Sequence, residues 1–209
     1  MKNVVEPDKP HPIITNQKSV EGYFDRYIKK CVDVADYFGL KPKGSQPGKL
    51  YGMAKVHKDG CPLRPVVSMI NTPEYNLAKW LDGFIKRFIP SQHTVSSTKE
   101  FIGRIKSYSF SGTELLCSFD VTSLFTNVPL KETIDIIANY VYSDDNNCKP
   151  SFSKQVFTNM LEKATSGMFL YKDKLYRQID GVAMGSPLGP TFDVSELLGK
   201  RLVQCHTYM

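Results

Sequence analysis

No run of about 18 apolar residues occurs anywhere in the chain, which excludes a membrane-spanning helix. The opening residues, MKNVVEPDKPHPIITNQK, hold no apolar stretch of the length a secretory signal needs, so the expectation is a soluble intracellular protein. Cysteine is sparse. Five stand at 31, 61, 117, 148 and 205, odd in number and without a Cys-x-x-Cys pair, which argues for free thiols rather than a disulfide framework or a zinc site. His57 near Cys61 is an isolated coincidence. There is no internal repeat and no low-complexity tract. What is present, 41% hydrophobic and 11% aromatic residues, is the composition of a globular protein.

The charge is unevenly placed. Residues 1–110 carry 18 Lys/Arg against 10 Asp/Glu, net +8, whereas residues 111–209 carry 9 against 11, net −2. A basic front half suits a polyanionic partner such as nucleic acid, although a solvated basic face has the same composition.

Residues 1–20 are polar and proline-bearing and read as a loose lead-in. Residues 20–38 place Tyr23, Tyr27, Val34 and Phe38 at helical spacing, with Gly39 as the stop. A Gly/Pro/Lys loop follows, and then LYGMAKVHKDGCPLRPVVSMI, which alternates around Asp59-Gly60 and predicts a hairpin with two basic arms. Residues 75–89 set Leu77, Trp80, Leu81, Phe84, Ile85 and Phe88 on one helical face. Ser97 and Glu100 have capping-box spacing for a helix over about 98–107. ELLCSFD reads as a buried strand ending at Asp120. Pro129 opens a helix whose apolar face is Ile134, Ile137, Ala138 and Val141, and a further helix covers roughly 152–164. MFLYKDKLYRQIDG is a strand–turn–strand bent at Lys172-Asp173-Lys174, and GVAMGSPLGP is a shaped turn.

Three groups of residues carry chemistry. Asp120, at the carboxyl end of an apolar strand, stands where phosphoryl transfer places metal-binding carboxylates, and a turn-capping role fits the same position. Lys55, Lys58 and Arg64 lie on the hairpin arms, where basic side chains converge on phosphates or simply face solvent. The glycines of GVAMGSPLGP let backbone approach a base or sugar closely, or serve only the turn.

Together, LYGMAKVHKDGCPLRPVVS, PEYNLAKWLDGFI, HTVSSTKEFIGRI, SFDVTSLFTNVPLKETIDII and YRQIDGVAMGSPLGP resemble, in order and spacing, the reverse transcriptases of Penelope-like retroelements, which are similar to telomerase catalytic subunits. The resemblance covers roughly residues 38–190. It implies an α+β fold, the fingers and incomplete palm of a right-hand polymerase, divided as 1–37 lead-in and helix, 38–110 fingers-like region, 111–190 partial palm and 191–209 divergent tail. It implies RNA-directed DNA polymerase chemistry with Mg2+, an RNA template, a DNA primer and deoxynucleoside triphosphates, and nuclear residence. By matching position, Lys55 and Arg64 take the nucleotide's triphosphate, and Asp120 with the carbonyl of Val121 binds metal. Phe125 takes the steric-gate position, Gln178 matches the upstream glutamine, and Gly185, Ser186 and Pro187 line the nucleotide. Ala54 and Gly189 depart from the family's usual proline and serine.

VYSDDNN, residues 141–147, has the look of the Tyr-x-Asp-Asp metal loop but precedes the Gly-Ser-Pro-Leu turn that the family's loop follows. It reads instead as a helix end running into a turn. After Pro190 the resemblance stops. TFDVSELLGKRLVQCHTYM holds only Asp193 and Glu196 as acids, on a surface face of any helix formed there. The second catalytic aspartate motif, thumb and GIY-YIG nuclease are not found in these residues. The expectation is a fragment, from a decayed element or an interrupted gene model, with a poor magnesium site and an unpaired edge on the Asp120 strand. The competing reading is a non-catalytic module that binds RNA or an RNA–DNA hybrid.

Overall fold

The computed structural model describes residues 2–3, 12–30, 32–42, 45–88, 95, 97–113, 118–120, 124–144, 150–192 and 204–206; for 2–3, 118–120 and 204–206 it describes the backbone. The architecture is α+β. After β1 (Lys2–Asn3) come α1 (Pro12–Tyr23), a π-helical turn at Phe24–Ile28 and α2 (Val34–Leu40). The hairpin is β2 (Gly48–Ala54) and β3 (Leu63–Ser68), followed by α3 (Tyr75–Ile85) and α4 (Thr98–Lys106). Then follow β4 (Ser118–Asp120), the short α5 (Leu124–Asn127), α6 (Leu130–Val141) and α7 (Lys154–Thr165). The chain continues through β5 (Met168–Tyr171), β6 (Lys174–Arg177), α8 (Gly189–Phe192) and β7 (Gln204–His206).

Five strands form one mixed sheet in the order β1-β6-β5-β2-β3, with β2 and β5 parallel and the other pairs antiparallel. Alternation along β5 and β6 gives it two apolar faces. Met168 and Leu175 pack with Ile13 of α1, while Phe169 stacks on Tyr176 at 6.0 Å and packs with Val67 and Met69. The largest core lies among the helices, where α3, α6 and α7 bury Leu77, Leu81, Ile85, Ile137, Val141, Phe157 and Leu161.

The local signals place most of these elements. The residues that read as apolar on α3 and α6 are those that go inside, except that Trp80 and Phe88 are half-buried. Ser97 Oγ accepts from Glu100 N at 3.2 Å, starting α4 where the capping spacing indicates. Lys172 and Asp173 (φ +48° and +57°) form the two-residue bend of β5–β6, and Lys174 is already in strand, paired with Tyr171.

Two expectations are corrected. The lead-in is not loose throughout: Pro12 begins a helix, as proline suits a first turn, and Lys2–Asn3 pairs with β6. The helix read over 20–38 is interrupted. The π-turn shifts the buried stripe to Phe24 and Ile28, and Asp33 caps a separate α2, accepting from Asp36 N at 2.8 Å. Tyr27, Val34 and Phe38 are therefore exposed, whereas Tyr23, Tyr37 and Leu40 are buried, and Gly39 lies inside α2. On one edge β4, the Asp120 strand, pairs antiparallel with β7, Asp120 opposite Gln204; among the described residues its other edge carries no strand, in line with the expected unpaired edge.

Helix α4 buries none of its residues. Phe101, Ile102 and Ile105 are exposed, as are Tyr108 and Phe110 beyond it. Among the described residues, no helix is long and apolar enough to cross a membrane.

Candidate nucleic-acid interface

The β2–β3 register decides which side chains share a surface. Met53 pairs with Arg64 and Tyr51 with Val66, and Lys55 N donates to Pro62 O at 2.9 Å. Because successive side chains alternate, Lys49, Tyr51, Met53 and Lys55 lie on one face, together with Arg64 and Val66 of the opposite strand. Lys55 and Arg64 are diagonal neighbours, roughly 7–8 Å apart at the backbone, near enough for both cations to reach one phosphate group. Val67 and Leu50, on the other face, pack toward the sheet core. Lys58 lies apart from the pair in the tip, which is built from two tight turns (Lys58 N to Lys55 O, Cys61 N to Lys58 O, each 3.0 Å). Cys61 at this tip is an exposed free thiol. Among the described residues none of Lys55, Lys58 and Arg64 has a carboxylate partner, and Tyr51 and Met53 are about half exposed beside them.

The glycine turn is fastened to this hairpin. Val67 N donates to Met184 O at 2.9 Å, and Gly185, at φ +127°, brings its Cα so near β3 that an added Cβ would lie 2.3 Å from Val67 O. Only glycine fits. The preceding part docks on α5: Val182 N donates to Phe125 O at 2.7 Å, and Gly181 (φ +72°) packs its Cα against the same carbonyl. Phe125 is half-buried, with its ring against Gly189. The serine usual at that position in the resembled family would bring a Cβ to 3.0 Å from the ring.

Ser186 is buried. Its N donates to Ala183 O at 2.9 Å and its Oγ accepts from Leu188 N at 3.4 Å. Gln178 donates through Nε2 to Asp180 O at 2.9 Å and lines a cleft with Ser186, Thr165, Val67 and Phe169. The space the cleft encloses is only about 10 Å³, room for roughly one water, so it does not hold a nucleotide. Pro187 follows, half-buried.

Thus Phe125, Gln178, Gly185, Ser186 and Pro187 gather around one turn, and that turn is bonded to the strand carrying Arg64. Asp120 ends β4, five residues before Phe125, in a separate two-stranded sheet. Val121 lies outside the described residues. Among the described residues no three His, Cys, Asp or Glu side chains stand together as a metal would require. The described residues therefore do not by themselves supply the acidic set of a two-ion site, and the Asp120 side chain lies outside them.

The Tyr-Ser-Asp-Asp stretch is built as a helix end as far as Asp144. Tyr142 caps α6, donates through its hydroxyl to Phe152 O at 2.6 Å and packs against Phe157. Asp144 is exposed in the turn beyond, and Asp145–Asn147 lie outside the described residues. Lys49 and Tyr51 join the hairpin face without a motif to mark them, although counting back from Lys55 by twos finds them. The bond between Val67 and Met184 has no local signature at all.

No protein-family profile matches the chain, and no curated protein and no solved structure is similar to it.

Proposed function

We propose that these residues are the fingers and part of the palm of an RNA-directed DNA polymerase of the Penelope-like kind. In the parent enzyme, Lys55 and Arg64 would neutralise the triphosphate of an incoming deoxynucleotide. Phe125 would stand against the sugar, and the turn at Gly185–Pro187 would present backbone to nucleotide and primer-template. Asp120, with the Val121 carbonyl, would be one side of a magnesium site. The observation that carries the reading is the juxtaposition of two motifs more than a hundred residues apart in sequence. The basic hairpin and the glycine turn are joined by the Val67–Met184 hydrogen bond, with Phe125 packed on that same turn. Nuclear residence belongs to the same proposal, since a retroelement enzyme must reach chromosomal DNA.

A second reading has its own support. The face of Lys49, Tyr51, Met53, Lys55 and Arg64 combines cations that have no carboxylate partner among the described residues with an aromatic ring, the composition that tracks a nucleic-acid backbone and stacks on bases without chemistry. The two readings separate in one pair of experiments. Both expect the 209-residue chain to bind an RNA–DNA hybrid with steep salt dependence. Primer extension on an RNA template, with magnesium or manganese, is expected to give no product from this chain alone. Extension that Asp120→Ala abolishes would overturn the expected inactivity and establish the polymerase reading; absence of hybrid binding at low salt would count against both.

A further inference from the structure

Glu74 is a carboxylic acid placed where a carboxylate is poorly served. It directly precedes α3, is 1% exposed, and does not cap the helix with its side chain. It turns toward α1 instead, where Asn16 Nδ2 donates to its Oε1. Among the described residues its buried Oε2 makes no close hydrogen bond, while the Thr72 hydroxyl beside it favours the charged form. Ser45 Oγ is another buried oxygen without a partner among the described residues, in a loop tied to this turn by Gln46 N donating to Asn71 O at 3.0 Å. Buried polar atoms left unpaired cost roughly 1–3 kcal/mol each, and an ionised carboxylate costs more. A proton removes the charge, and with it the cost of burying it, although the Thr72 hydroxyl and the Asn16 amide favour the charged form.

We propose that Glu74 is a proton-dependent latch that holds α1 on the start of α3. When neutral, its carboxyl accepts from Asn16 and puts no charge into the core. When ionised, it leaves a charge inside the core, and α1 loosens. Helix α1 is held besides by Ile13 on the sheet, by Val20 and Tyr23 in the helical core, by the Tyr23 hydroxyl on Val156 O at 2.8 Å, and by Ser19 Oγ accepting from Lys163 Nζ at 3.1 Å. Its release would uncover the Met168–Leu175 face of the sheet.

Among the described residues the surrounding charges do not supply an alternative partner. From β6, Arg177 is exposed and acts on Glu74 only through its field; Lys174 is exposed and Tyr176 half-buried. On α1, Lys18 is exposed and Glu21 accepts from Gln17 Nε2 at 2.8 Å. On α3, Tyr75 is half-buried and Lys79 exposed. Burial pushes the Glu74 carboxyl above its ordinary 4.5, against the smaller opposing effects of its own backbone N–H, Thr72, Asn16 and Arg177. A raised folded value means that the native state binds the extra proton. The stabilisation is complete below about 4.5 and is lost as pH rises through the raised value.

The test is amide hydrogen exchange across α1, corrected for the intrinsic pH dependence, together with thermal unfolding, between pH 5 and 8. In the native sequence, α1 protection and the Tm are both expected to fall as pH rises over this range. Glu74→Gln mimics the neutral acid and is expected to flatten both profiles and to raise the Tm at pH 8. Asn16→Ala is expected to lower α1 protection at pH 5 and to weaken its pH dependence. An unchanged pH profile in Glu74→Gln, or a Glu74→Gln chain that is less stable than the native one at every pH or fails to fold, would overturn the latch.

Discussion

Gly185→Ala is expected to destabilise the protein by about 2–4 kcal/mol, read as a lower midpoint in urea unfolding. The figure combines two costs. A φ of +127° is a region in which a side chain is strained by about 1–3 kcal/mol. The new methyl would also meet the Val67 carbonyl oxygen at 2.3 Å, and that oxygen belongs to a paired strand with nowhere to go. The turn must therefore retreat, and with it goes the hydrogen bond from Val67 N to Met184 O, worth about 1 kcal/mol. A control isolates the effect of the close approach. Gly103→Ala lies in exposed α4, with nothing within 4 Å of the added Cβ, and is expected to stabilise by roughly 0.5–1 kcal/mol through helix propensity. Equal, small effects at the two glycines would mean that the turn does not sit against β3 as described.

Phe157→Ala is the second large loss, expected at about 3–5 kcal/mol. Phe157 is fully buried and is the common neighbour of three rings: Phe84 at 5.8 Å, Tyr142 at 6.0 Å and Phe152 at 6.2 Å. These rings come from α3, the end of α6 and the loop before α7, so the cavity would open where all three elements meet. None is free to collapse into it, because each is held by further packing in the same core. Against a typical total stability of roughly 5–15 kcal/mol, such a loss is expected to leave a detectable unfolded population at 37 °C by circular dichroism. A change below about 1 kcal/mol would indicate that the helical core is packed differently.

Whether each part is legible in the sequence depends on where its information lies. Helix α6 and the β2–β3 hairpin are specified locally, by the spacing of Ile134, Ile137, Ala138 and Val141 and by alternation around Asp59-Gly60. The N-terminal helices are not, because α1 buries only Ile13, Val20 and Tyr23 of its twelve residues, too few for a clear stripe. The π-turn then displaces the pattern, so Tyr27 faces solvent although its spacing from Tyr23 suits a common helical face. In the candidate site the residue types are readable: the paired cations, the apolar strand ending in aspartate, and the glycines of the turn. Their meeting is not. Gly185 reports only that something comes close, and that the neighbour is Val67 of β3 depends on an approach spanning more than a hundred residues. The pairing of β4 with Gln204–His206 is likewise a long-range event, in a segment whose own sequence carries no clear strand signal.

The central claim is that the face bearing Lys55 and Arg64 holds the phosphates of a nucleic acid or nucleotide, and it is tested most directly by hybrid binding in the Lys55→Ala, Arg64→Ala double variant. The measurement is fluorescence anisotropy of a labelled RNA–DNA duplex across a salt series, with native unfolding midpoints verified for both proteins. The account predicts at least about a tenfold weaker complex at low salt and a log–log salt slope reduced by about two, one for each phosphate that the variant no longer neutralises. An affinity and a slope identical to those of the native chain would contradict it.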